Sequence, residues 1–183
     1  MHKFSEEVDF SDAKHQISVT DELRVFNSYF YQVNQAPPNN LGKMTDFIDI
    51  WQEKVIGTTL PGWSDFSFEN FKGWHSNMRL IKCGEIHNKA DEVMIVGESF
   101  AQLWGRFSLS EQIRNGEITS KSLVANFQEY LGYVYNMHYV ISAGVIPIQA
   151  YSRQSIMFVD LPLSNENNEV SHIVSAILPT KKC

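Results

Sequence analysis

The residues with chemistry to offer cluster in two places. Phe100, Trp104 and Phe107 lie on and just after a segment bracketed by Gly97 and Gly105, directly after the apolar run Val93–Val96. Together with Met94 and Val96 they are candidates for the wall of a concave site, since ligand pockets are mostly apolar with a few placed polar groups. The second place is 133–139. There Tyr135 and Tyr139 carry phenols that need a polar partner when buried, and His138 falls on an apolar stripe. The ordinary role of every one of these side chains is core packing, and for a lone histidine it is a hydrogen-bonded core position.

Other chemistry finds little support. No GxSxG, HExxH, P-loop or GxGxxG pattern occurs. No two histidines fall at i, i+3 or i, i+4, so a metal cluster is not expected. Asp46 with Asp49, or Glu98 with Glu111, have no spacing that demands joint acid/base work. Arg106 follows Gly105 at a helix end and is a candidate for an anionic group, although a surface or ion-paired arginine is its ordinary role. Arg79 and Arg153 fall in strands and take the same ordinary role.

The bulk composition bounds the rest. The chain has 183 residues, 43% hydrophobic and 13% aromatic, which suits one packed globular domain with an extension. The formal net charge is -6 with mixed signs and no basic stripe, so nucleic acid is not an expected partner. Two cysteines, Cys83 and Cys183, lack zinc spacing and read as free thiols of a cytoplasmic protein. No apolar window reaches membrane-span length, and 1–10 has no signal-peptide core.

Periodicity supplies the elements that would position these groups. Residues 1–19 read as loosely ordered. Thr20 or Asp21 caps a predicted helix with Leu23, Phe26, Phe30 and Val33 on one face, and a Pro-rich linker follows. A second helix carries Phe47, Ile48, Trp51 and Val55, and the aromatic stretch Phe66–Trp74 lies over the core. Two strands are expected from Asn77 to Glu85 and from Glu92 to Val96, joined by a turn at Asn88–Asp91. Short helical pieces cover Ser99–Leu103 and Ser110–Asn115. The longest helix is predicted over Ser120–Ser142, with Gly144 as its cap, on the stripe Leu123, Phe127, Leu131, Val134, His138 and Ile141. Three strands follow, at Val145–Arg153, Ser155–Leu163 and Val170–Leu178. The expectation is an α+β fold: a five-stranded antiparallel sheet with helices on one face, in a domain over 44–183, plus an N-terminal helical extension over 1–43.

This β-β-helices-β-β-β order resembles that of the PAS domain. The succession Phe47-x3-Trp51, Leu60-Pro61, paired strands and Val96-Gly97-x7-Gly105-Arg106 is similar to a stand-alone PAS family of alphaproteobacteria. Ser110 stands where the family pattern has its last glycine, and Ser108 and Leu109 replace the acidic residue before it. The resemblance implies a non-catalytic, signal-sensing module. It would bind a small, largely apolar ligand, a downstream protein partner, or both. It also implies a homodimer through the N-terminal helix. His138 is the residue a haem would take as axial ligand in such a fold. Cysteine-adduct flavin chemistry is not expected, because Glu98–Asn115 contains no cysteine. The cofactor is otherwise unassigned. The alternatives are a small cone-fold enzyme with an acid/base pocket and a ligand-free interaction domain.

Overall fold

The computed structural model describes residues 7–20, 24–84, 91–149 and 152–180. Its centre is a seven-stranded antiparallel sheet in the order β1-β2-β5-β6-β7-β3-β4. The strands are β1 (His15–Thr20), β2 (Val25–Gln32), β3 (Met78–Lys82), β4 (Glu92–Val96), β5 (His138–Gln149), β6 (Ser152–Ser164) and β7 (Val170–Pro179). The helices are α1 (Lys43–Gln52), α2 (Glu98–Trp104), α3 (Leu109–Arg114) and α4 (Lys121–Tyr135), with 3₁₀ turns at Trp63–Asp65 and Phe68–Phe71. The segment from β3 to β7 keeps the expected β-β-helices-β-β-β order.

Both faces of the sheet are covered. On one face α1 and the 3₁₀ turns bury Phe47, Ile48, Trp51, Phe71 and Trp74 against Tyr139, Ile141, Val159, Leu161 and Val174. On the other, α2 and α4 bury Phe100, Leu123, Tyr130 and Val134 against Phe26, Phe30, Val140, Phe158 and Ile173. Adjacent residues of one strand serve opposite layers, which is why β5 and β6 read as continuous apolar runs. The expectation of helices on one face is corrected accordingly: the first helical segment forms a second layer.

Two helix assignments are also corrected. The segment expected as an N-terminal helix is β2, paired along its length to β5 and, on its other edge, to β1. Spacing of +4 between Phe26 and Phe30 suits one face of a helix and one face of a strand alike. The Phe, Tyr and Val content of β2 and its place beside an open sheet edge decide for the strand. The helix assigned to dimerisation is therefore absent among the described residues. Its proposed cap Asp21 and stripe residue Leu23 lie outside them, as does the turn at 88–90. The long helix stops at Tyr135, because Asn136 leaves helical geometry and Met137 takes a φ of 63°. His138, Tyr139 and Ile141 consequently stand on β5, and Gly144 is a strand residue rather than a cap.

Gly97 sets how closely the helical side approaches. A Cβ there would lie 2.2 Å from the His75 carbonyl oxygen, so the start of α2 seats directly on the backbone ahead of β3. Gly105 ends α2 at a φ of 104°, a conformation that glycine takes without strain.

Candidate functional site

Between the sheet and α2–α4 lies a cavity of about 60 Å³. Val19, Phe26, Ile81, Phe158 and Ile173 form its apolar floor. Phe100 and Trp104 of α2, Leu109 of α3 and Leu123, Phe127 and Leu131 of α4 form its roof. The aromatic walls brace one another, with Trp104 5.1 Å from Phe158 and 6.0 Å from Phe26 between ring centroids.

One end of the cavity is polar. Arg79, Ser175 and Asp160 stand opposite one another on β3, β7 and β6, so the strand register brings them into one row. Asp160 accepts from the Ser175 hydroxyl at 2.5 Å and from the Tyr130 hydroxyl of α4. Burial pushes the Tyr130 phenol well up, and the Asp160 carboxylate beside it pushes it further. Tyr130 therefore stays a neutral donor. Asp91 accepts from the Gly84 amide at 3.1 Å and the Ser110 hydroxyl at 2.8 Å. Arg79 is 7% exposed, and its guanidinium carbon lies 4.6 Å from the Phe100 ring centroid. Its Nε and Nη1 have no hydrogen-bond partner among the described residues. Burial lowers its pKa, opposed first by Asp160 and then by Tyr130, Asp91 and Glu111.

The residues singled out from sequence are distributed over several surroundings. Phe100 and Trp104 line the cavity. Val96 is half-buried and packs on the same layer, whereas Met94 and Phe107 are 50% and 51% exposed. Tyr135 is half-buried beside Cys83, and burial raises the pKa of both groups, the thiol to about 12. At that value the thiol is not a thiolate near neutral pH. Tyr139 is fully buried in the opposite layer, where its hydroxyl donates to the Gln35 carbonyl at 3.0 Å. His138 sits beside His15 of β1 and Tyr133 of α4, with Nδ1 2.9 Å from the Asn136 carbonyl oxygen, and is not among the cavity-lining residues. Arg106 is exposed. Among the described residues no group of three metal-binding side chains converges, and no helix is long and apolar enough to cross a membrane.

From the sequence Arg79 takes only the ordinary role of a surface or ion-paired arginine, and Asp160 is not singled out. Arg79 stands between Met78 and Leu80, and Asp160 between Val159 and Leu161. A charged residue inside an apolar strand was the available signal. That the two share one row depends on a register across three strands, which periodicity does not encode.

No family model matches the chain, and no curated protein matches it. Among solved structures the chain is similar to an RNA-binding light-oxygen-voltage receptor, at 12% identity and a TM-score of 0.45, over 83% of this chain and 38% of that one. The chain thus spans well under half of that receptor's length.

Proposed function

We propose that the chain is a PAS-type sensing module that holds a small, largely apolar molecule between its sheet and α2–α4, without catalysing a reaction on it. The observation that carries this reading is the cavity of about 60 Å³, apolar over most of its wall and polar at one end. The motif resemblance and the element order after β3 support it. A ligand there would touch α4 and the sheet at once. It would bias the module only through its different affinity for two arrangements of those elements, which a downstream protein then reads. An acid/base enzyme is carried less far. Asp160 already accepts from two hydroxyls and Asp91 from an amide and a hydroxyl, so both carboxylates serve hydrogen bonds within the protein.

Native mass spectrometry of freshly purified protein, with an absorption spectrum of the same sample, tests the reading. The expected result is a retained small mass lost on mild activation, without a Soret band, since His138 lies apart from the cavity wall. A clean apo mass in every preparation would favour an interaction module with a filled core.

A further inference from the structure

At the polar end of the cavity Arg79 has charge partners but, among the described residues, no acceptor in bonding geometry for Nε and Nη1. Asp160, Asp91 and Glu111 already favour the charged form of Arg79 through space. Yet Nε and Nη1 of this 7% exposed side chain are unpartnered among the described residues. Such donors are costly to leave unmet in a buried place. The Phe100 ring, 4.6 Å from the guanidinium carbon, offers a cation–π contact but no lone pair. The neighbouring carboxylates are turned to other donors, Asp160 to Tyr130 and Ser175, Asp91 to Gly84 and Ser110, and neither bonds Nε or Nη1.

We propose that Arg79 recognises the ligand of this cavity, and that the ligand is a neutral, mostly apolar molecule of short-chain or single-ring size carrying one carbonyl-type acceptor. The proposal rests on the ligand-binding reading above. Size follows from the space: about 60 Å³ corresponds to roughly four to six waters at about 10–15 Å³ each. Neutrality follows from the wall, where two carboxylates already face one guanidinium, so a further buried anion would lack a counter-charge. The acceptor follows from the unmet donors: Nε and Nη1 point to different edges of the guanidinium, and a carbonyl oxygen of the ligand would satisfy one of them.

Isothermal titration of the full chain with acetophenone, ethylbenzene and benzoate separates these points. Acetophenone is expected to bind about tenfold or more tighter than ethylbenzene, the effect of one hydrogen bond to a charged group. Benzoate is expected to bind more weakly than acetophenone. In Arg79→Met the acetophenone preference should fall to about onefold while ethylbenzene binding persists. If that variant does not fold, Arg79→Lys keeps the charge but not the positions of Nε and Nη1, and should lower the same ratio. Equal binding of acetophenone and ethylbenzene, tighter binding of benzoate, or a preference unchanged in the folded variant would each overturn the assignment to Arg79 and a neutral acceptor while leaving a ligand-binding module standing. Failure of all three probes would also overturn it. Only when joined to a clean apo mass would that failure remove the sensor reading as well.

Discussion

Replacing Asp160 with alanine is expected to lower the unfolding free energy by about 3–5 kcal/mol, the range for breaking a buried charge arrangement from one side. The substitution removes the acceptor of Tyr130 and Ser175, both buried, and the largest favourable charge acting on Arg79. A small domain holds only about 5–15 kcal/mol in total, so the variant would keep a reduced margin. Asp160→Asn retains acceptor oxygen for one hydroxyl and should cost less. Combining Asp160→Ala with Arg79→Met should cost less than the sum of the two, because the second change removes the charge that the first leaves uncompensated. Denaturant unfolding of the parent and the four variants measures this. A loss under about 1 kcal/mol for Asp160→Ala would show that the row across β3, β7 and β6 is not electrostatically coupled.

The second large effect lies on the other face. Trp51 is fully buried in the layer formed by α1, and its indole nitrogen donates to the Pro162 carbonyl of β6 at 2.9 Å. Trp51→Ala is expected to cost about 3–5 kcal/mol from the lost burial and the void left between α1 and the sheet. It also strands the Pro162 acceptor. Calorimetry should show one cooperative transition shifted down as a whole, because α1 shares the sheet with the cavity side. A variant whose sheet melts at the original temperature after an early loss of α1 would mean that this layer is an appendage.

These two sites show how unevenly the sequence exposes the structure. The α1 layer was legible, since Phe47, Ile48 and Trp51 repeat at helical spacing and Trp51 has nowhere apolar to go except a core. The strand pair β3–β4 and the hairpin of β6 and β7 were legible too, through short apolar runs bounded by turn residues. At the edge of the sheet the same rules failed. Phe26 and Phe30 fit both periods, and only the pairing of β2 with β5 breaks the tie. Ile17 and Val19 alternate with Gln16, Ser18 and Thr20, yet a strand this short gains its stability from a partner that composition does not reveal. The end of α4 turns on Met137 adopting a left-handed backbone, which is a demand of the tertiary path rather than a preference of methionine. Within the cavity, Phe100 and Trp104 were visible as aromatics next to a glycine. Arg79 was not, because its meaning depends on being buried without an acceptor, a property of the assembled layers alone.

The central claim is that the space between the sheet and α2–α4 is where a ligand acts. An amide correlation spectrum of isotope-labelled protein, titrated with acetophenone, tests it most directly. The account predicts shifts concentrated at Arg79, Phe100, Tyr130 and Asp160, fading toward Phe47 and Trp51 across the sheet. Shifts confined to the opposite layer around Phe47 and Trp51, with the cavity residues unmoved, would contradict it.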